Sequence, residues 1–342
     1  MRVLHVVECF EGGVGRAVDN LVAETPELDH HLLCAGAGTS QSARYRSITR
    51  LPDGLLGRVQ ATRRAIASVE PDVVHAHSSW AGVYVRVRRE AGRVVYQPHC
   101  FSFVDPGLPW WRRTMYRAAE RALARRTDVI VAVSTDEREL AAGLGGACTV
   151  AVVPNAATVE VVEGRRRSVA LQPQVAMAGR ICPQKSPERF AELAGECKDA
   201  GADLSFVWIG DGDAEARRSL QSAGVRVTGW LNPVRVADEL DHTDIYVHTA
   251  RYEGFPISVL DAASRHVPIV ARQIPALRHS GLVTAPDGKL ADLVLTALGD
   301  AGMRQAMTRA GDALLAAMNQ SVAAEALRAV YGSSASVGVG AA

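Results

Sequence analysis

DIYVHTARYEGFPISVLDAASRHVPIVAR, Asp244 to Arg272, reads as strand, turn, helix and strand. DIYVHTA is a short apolar run that ends in polar residues, the pattern of a buried strand reaching the edge of a sheet. Glu253 and Gly254 make the turn, and Pro256 can take the first helical position, where its missing N–H costs nothing. The helix is expected from Pro256 to about Arg265, and VPIVAR follows as the next strand. The unpaired N–H groups of the first helical turn, with the positive end of the helix dipole, make a site for a phosphate. Gly254, Phe255 and Ile257 would stand at that tip, with Glu253 just before it. Asp261 lies more than a turn further on, where a carboxylate can accept from a ribose hydroxyl pair. An ordinary exposed helix start with a chance acidic residue is the plainer alternative, because a short motif is only a hypothesis.

The same alternation of short apolar runs with longer helical stretches fills the chain, as βαβ units of a parallel sheet do. A first series contains VLHVVE, HLLCAG, DVVHAH, RVVYQPH, DVIVAVS and TVAVVPN; a second contains QVAMAGR, LSFVWIG, VRVTGW, DIYVHTA and VPIVAR. Between them VVEGRRRSVALQP, Val161 to Pro173, has the charge and proline of a linker. The expected architecture is α/β, with two Rossmann-like domains whose parallel sheets face each other across an interdomain cleft, since ligands collect beyond the carboxyl ends of such strands. The expected bounds are 1–160 for an N-terminal acceptor-binding domain and 169–322 for a C-terminal donor-binding domain. A helix at 323–332 would cross back to the first domain, and a flexible tail would occupy 333–342.

A length of 342 residues exceeds one typical core, and 48% hydrophobic with 22% charged residues is ordinary for a globular protein. The net charge of +1 gives no general attraction to nucleic acid, so no nucleic-acid partner is expected. Six cysteines, scattered and without a C-x-x-C pair, point to neither a zinc site nor a disulfide framework and fit a reducing cytosol. MRVLHVVECF is too short and polar for a signal peptide, and no apolar run approaches a membrane span. The expected location is cytoplasmic, with the inner face of the membrane as an option. That option rests on WWRRTMYRAAERALARR, Trp110 to Arg126, where aromatic and basic residues combine as they do on anionic membrane surfaces. A solvated helix face is the alternative.

Three further places could carry chemistry. In EGGVGRAVDNL the glycines Gly12, Gly13 and Gly15 let the backbone approach a ligand, although a bend needed only for helix packing explains them equally. The spacing is not that of a dinucleotide fingerprint, and no acidic residue follows the second strand, so a nicotinamide cofactor is disfavoured. In GRICPQKSPERF a guanidinium at Arg180 and an ammonium at Lys185 converge from one loop, which suits a diphosphate that gains charge as it leaves. His99, at a strand end before an aromatic loop, can hydrogen-bond a sugar hydroxyl or serve only structure. The Asp211-Gly212-Asp213 stretch resembles a metal-holding acidic pair, yet it reads better as a turn after a strand. No metal site is expected.

GGVGR, PDVVHAH, His99, VVPNA, Gly179-Arg180 with Lys185, IGDGD and EGFPISVLDA stand in an order that resembles the retaining GT-B glycosyltransferases of family 4, the glycosyl transferases group 1. The resemblance implies transfer of a sugar from a nucleotide-diphosphate sugar to an acceptor hydroxyl, with retention and without a metal or other cofactor. UDP or GDP is the expected nucleotide, and the acceptor options include a lipid-linked or polysaccharide-precursor glycan and a small natural product. By the same resemblance His99 approaches the donor sugar, the loop at Gly13 lies by the diphosphate, and Arg180 and Lys185 hold that diphosphate. Glu253 takes donor-sugar hydroxyls and Asp261 the ribose, where the family more often has glutamate; Pro256 stands where glycine is more frequent. A nucleotide-sugar epimerase of related architecture and a non-catalytic partner of a glycosyltransferase are the alternatives.

Overall fold

The computed structural model describes residues 1–10, 12–36, 42–88, 92–163 and 172–332. The chain divides into two compact units, one of Met1–Asn155 with the C-terminal helix and one of Ala156–Asn319. In the first the order is β1 (Arg2–Val7), α1 (Gly12–Ala23), β2 (Asp29–Cys34), β3 (Ser47–Arg50), α2 (Leu55–Val69), β4 (Val73–His77) and α3 (Ser79–Arg86). It continues with β5 (Arg93–Gln97), α4 (Trp110–Ala124), β6 (Val129–Ala132), α5 (Thr135–Ala142) and β7 (Thr149–Val152). The second unit runs β8 (Gln174–Ala178), α6 (Pro187–Asp199), β9 (Ser205–Ile209), α7 (Ala214–Ser222), β10 (Val225–Val227), α8 (Pro233–Asp241) and β11 (Ile245–His248). Then come α9 (Ile257–Ser264), β12 (Ile269–Arg272), β13 (Val283–Ala285), α10 (Leu290–Gly299) and α11 (Ala301–Ala317), and α12 (Gln320–Gly332) returns to the first unit.

Both sheets are parallel throughout and share one plan. Their orders are β3-β2-β1-β4-β5-β6-β7 and β10-β9-β8-β11-β12-β13, so each strand order reverses beside the first strand of its unit. Such a reversal opens a crevice at the carboxyl ends of β1 and β4 in one unit and of β8 and β11 in the other. The central strands are buried on both faces, which is why they read as continuous apolar runs rather than alternating ones. Among the described residues no helix is long and apolar enough to cross a membrane.

Three differences from the sequence reading have simple causes. Strand β3 was hidden because all four of its residues are exposed and carry no apolar rhythm; its register comes from pairing with β2. β13 has only three residues and escapes any periodic test. The second unit begins at Ala156 rather than 169, and α12 begins at Gln320 rather than 323. Part of the expected linker and the expected tail, 164–171 and 333–342, lie outside the described residues. α12 seats Ala323, Leu327, Val330 and Tyr331 in one cluster with Val3, Val73, Val95 and Val131 of the first sheet.

Candidate active site

The loop after β8 and the loop after β11 are tied together by backbone before any ligand is considered. Arg251 N donates to Gln184 O at 2.8 Å, and Thr249 Oγ1 donates to Lys185 O at 2.9 Å. Gly179 takes φ 151°, and a Cβ on it would press 3.3 Å from Lys185 Cε, so the lysine stem lies directly on this glycine. Ser186 adopts φ 55°, a left-handed conformation uncommon for a side chain outside glycine, as the chain turns from Lys185 into α6. These contacts aim Lys185 at Glu253, and the two form an ion pair.

Glu253 is the centre of this cluster. Its side chain is only 8% exposed; Gln184 Nε2 donates to its Oε2 at 3.4 Å and to Tyr252 O at 3.0 Å. His248, fully buried, places Nε2 3.3 Å from Glu253 Oε1. Burial alone would push the Glu253 carboxyl up, but the Lys185 charge and His248 outweigh it and hold the group at about 2. Burial keeps His248 below its ordinary range. Arg180 is exposed and makes no hydrogen bond or ion pair with another described residue, so it is not part of the Lys185–Glu253 cluster in this structure.

Helix α9 starts at Ile257, and Pro256 is its cap residue with φ −76° and ψ 116° rather than the first helical residue. Gly254 and Phe255 are buried just before it, while Ile257 is partly exposed at the tip. Asp261 is 1% exposed and already engaged. Thr158 donates to it from N at 2.6 Å and from Oγ1 at 3.1 Å, and Val159 N adds a contact at 3.3 Å. Through these contacts, most of them on Oδ1, Asp261 ties the start of the second unit to α9. The Asp211-Gly212-Asp213 stretch is a turn: Asp213 caps α7 by accepting from Glu215 N and Ala216 N, and Asp211 pairs with Arg217.

In the first unit the three glycines part company. A Cβ on Gly15 would stand 2.6 Å from Phe10 O, so that glycine allows close packing of α1 on the preceding loop. Gly12, with φ 68°, and Gly13 have open space where a side chain would be, and both are exposed. Only these two leave backbone open to a ligand; Gly15 does not.

His99 follows β5 with φ 56°, Cys100 has φ 133°, and Ser78, after β4, has φ 83°. Three residues with side chains in such conformations at neighbouring strand ends are a local store of strain, which other contacts must hold. One of those contacts is Glu137 on α5, buried, which accepts from Val133 N at 2.8 Å and from Cys100 N; burial pushes its carboxyl up to about 7. Glu137, Gln184 and His248 carried no distinctive sequence signal as site residues. Their partners are brought in by the fold.

Helix α4 shows the surface expected of it in part. Trp110, Trp111 and Met115 are exposed at 77%, 52% and 50%, and Arg112 lies over the Trp111 ring at 5.6 Å. The inner side of the same helix holds Glu120, which pairs with Arg86 at 2.9 Å in the core.

Residues 11–161 match the family described as Glycosyltransferase Family 4, and residues 172–300 match Glycosyl transferases group 1. The chain is 27% identical over 330 residues to a GDP-mannose-dependent alpha-mannosyltransferase of Mycolicibacterium smegmatis, covering 84% of this chain and 85% of that one. It is 26% identical to an Escherichia coli UDP-Gal:alpha-D-GlcNAc-diphosphoundecaprenol alpha-1,3-galactosyltransferase over 59% of this chain and 58% of the other. Among solved structures, sucrose-phosphate synthase of Thermosynechococcus elongatus superposes with a TM-score of 0.81 at 15% identity, covering 97% and 98% of the two chains. Anabaena HepE in complex with UDP and glucose superposes with a TM-score of 0.78 at 14% identity, covering 96% and 99%. At such identities these structures speak for the fold alone.

Proposed function

Since the chain belongs to the glycosyl transferases group 1, retaining GT-B enzymes that move a sugar from a nucleotide sugar to an acceptor, we propose that its donor is held by Glu253, Lys185, Arg180 and the tip of α9. The observation that carries this reading is the partly buried Lys185–Glu253 pair, with an Arg180 that has no partner among the described residues, all at the carboxyl ends of β8 and β11. A carboxylate held ionised at neutral pH accepts from two sugar hydroxyls, which fixes the donor sugar by its hydrogens. Lys185 shares its charge between Glu253 and the diphosphate, and Arg180 adds a second cation. As the sugar–phosphate bond breaks, charge grows on the leaving phosphate, and these cations with the helix N–H groups stabilise it. Retention without a second carboxylate as nucleophile fits displacement on one face, with the leaving phosphate taking the acceptor proton. Asp261 stays in its structural place in this reading, and His99 meets a substrate hydroxyl.

UDP or GDP is the proposed nucleotide, and the same groups make a divalent metal unnecessary for binding. Calorimetry with UDP and GDP in the presence of a chelator is expected to give saturable binding for one of them. Binding that appears only after a divalent metal is added would remove the proposed role of Arg180 and Lys185.

For the acceptor, a glycan carried on a lipid is the proposed class, supported by the exposed Trp110, Trp111 and Met115 beside arginines on α4. Indole rings and arginines suit the headgroup region, where basic residues each contribute about 1 kcal/mol on an anionic surface. The protein should co-sediment with vesicles rich in phosphatidylglycerol and not with phosphatidylcholine alone, and Trp110→Ser with Trp111→Ser should weaken this about tenfold or more. Equal sedimentation of the double variant would sink the membrane contact and leave the donor site untouched.

A further inference from the structure

Four histidines, three on adjacent strands and His99 just after the next one, form a hydrogen-bonded chain through the first unit. His99 Nε2 lies 3.1 Å from His77 Nδ1, His77 Nε2 3.0 Å from His5 Nδ1, and His5 Nε2 3.0 Å from His30 Nδ1. At the far end His30 Nε2 is 2.9 Å from Thr25 O and 3.1 Å from Thr25 Oγ1, whose own hydrogen goes to Leu21 O at 2.7 Å. His5 and His77 are fully buried and His30 nearly so, on the side of the sheet where α12 places Tyr331 against His75.

The direction of the chain follows from its last link. A carbonyl oxygen can only accept, so His30 carries its hydrogen on Nε2 and its Nδ1 is a lone pair. A neutral imidazole has one donor and one acceptor. Therefore His5 donates from Nε2 to His30, His77 donates from Nε2 to His5, and His99 donates from Nε2 to His77. Burial holds His5 and His77 far below their ordinary range, lowers His30, and brings His99 to about 4, which keeps each ring neutral at physiological pH.

We propose that His77, His5 and His30, fixed by the Thr25 carbonyl, are positioning residues that lock His99 as its Nε2–H tautomer, so that it meets substrate only through the Nδ1 lone pair. His99 then selects a group that donates, a sugar hydroxyl, and turns away a bare acceptor oxygen at the same place. This rests on the reading that His99 touches substrate, whereas the tautomer itself does not. A site built to hydrogen-bond a hydroxyl discriminates strongly because the alternative leaves a polar atom unpaired. His5, His75 and His77 also bring one nitrogen each within 4.8 Å of one another, a spacing that suits a metal ion. Both nitrogens of His5 and of His77 are already engaged in the chain, however, and a metal there would have to break it.

The test is nitrogen-15 NMR of histidine-labelled, ligand-free protein at neutral pH, on the full chain and on His77→Leu and His77→Gln. In the wild type, His99 should show a protonated Nε2 and a lone-pair Nδ1, and His5, His30 and His77 the same tautomer. His77→Leu should give His99 a mixed-tautomer spectrum and lower kcat by about 10- to 100-fold, with UDP or GDP affinity unchanged. His77→Gln, which can accept and donate in turn, should restore most of both. A hydrogen on His99 Nδ1, an unchanged His99 spectrum in a folded His77→Leu, or stoichiometric zinc uptake that abolishes these signals overturns the proposal. Unaltered kcat and KM in His77→Leu overturn its substrate half. A wild type that transfers no sugar, with the expected spectra intact, instead counts against the functional reading.

Discussion

Glu253→Gln is expected to lower sugar transfer by on the order of a hundred- to a thousandfold, the range seen when one charge-placing group is removed from a transition-state site. The amide keeps the shape of the side chain and one acceptor oxygen, but it loses the charge that holds Lys185. The carboxyl sits at about 2 against an ordinary 4.5, so its stabilising contribution is present above the ordinary value and is lost as pH falls through the lowered one. That shift corresponds to roughly 3 kcal/mol, a large share but not all of the 5–15 kcal/mol typical of a folded domain. The matching measurement is a pair of acid-unfolding curves with initial rates at neutral pH. The wild type should lose stability between about pH 4.5 and 2 more steeply than the variant. Turnover in Glu253→Gln within a few fold of the wild type would end the assignment of the donor site.

Glu120→Ala should be the more damaging change to the fold. Arg86 is fully buried; its Nη2 donates to Glu120 at 2.9 Å, its Nε donates to Gly82 O at 2.9 Å, and its guanidinium lies 3.5 Å above the Tyr96 ring. Tyr96 OH donates to the other Glu120 oxygen at 2.8 Å. Removing Glu120 leaves a buried cation and a buried hydroxyl without their acceptor, a loss of about 3–5 kcal/mol. Urea unfolding followed by circular dichroism should show the first unit's transition moved to much lower denaturant. Glu120→Gln, which keeps one acceptor, should fall between the two. A loss below about 1 kcal/mol in the alanine variant would mean that water or a rearranged Arg86 replaces the pairing.

Both predictions turn on pairs that are distant in sequence. Lys185 and Glu253 are 68 residues apart and Arg86 and Glu120 are 34 apart, and no periodicity links either pair. Glu253 and Lys185 could still be picked out, because each stands in a turn between a strand and a helix where an unusual residue has a local reason. Arg86 and Glu120 could not. They sit inside ordinary helical patterns, and α4 reads from its arginines and tryptophans as a surface helix although its inner side reaches the core. Asp261 shows the converse: its position on α9 suggested a ribose contact, and the neighbour that takes its oxygens, Thr158, comes from the start of the unit.

The parallel α/β plan, the two series of strands and the strand-to-helix turns where charge is gathered were legible along the chain, since burial on both faces and helix entry are written in the residues next to one another. The tertiary structure alone decided which of those polar groups pair. It joined Lys185 to Glu253, Asp261 to Thr158 and four histidines into a directed chain. A hydrogen bond needs two atoms about 3 Å apart, and only the packed sheet order β2-β1-β4-β5 brings His30, His5, His77 and His99 to that distance.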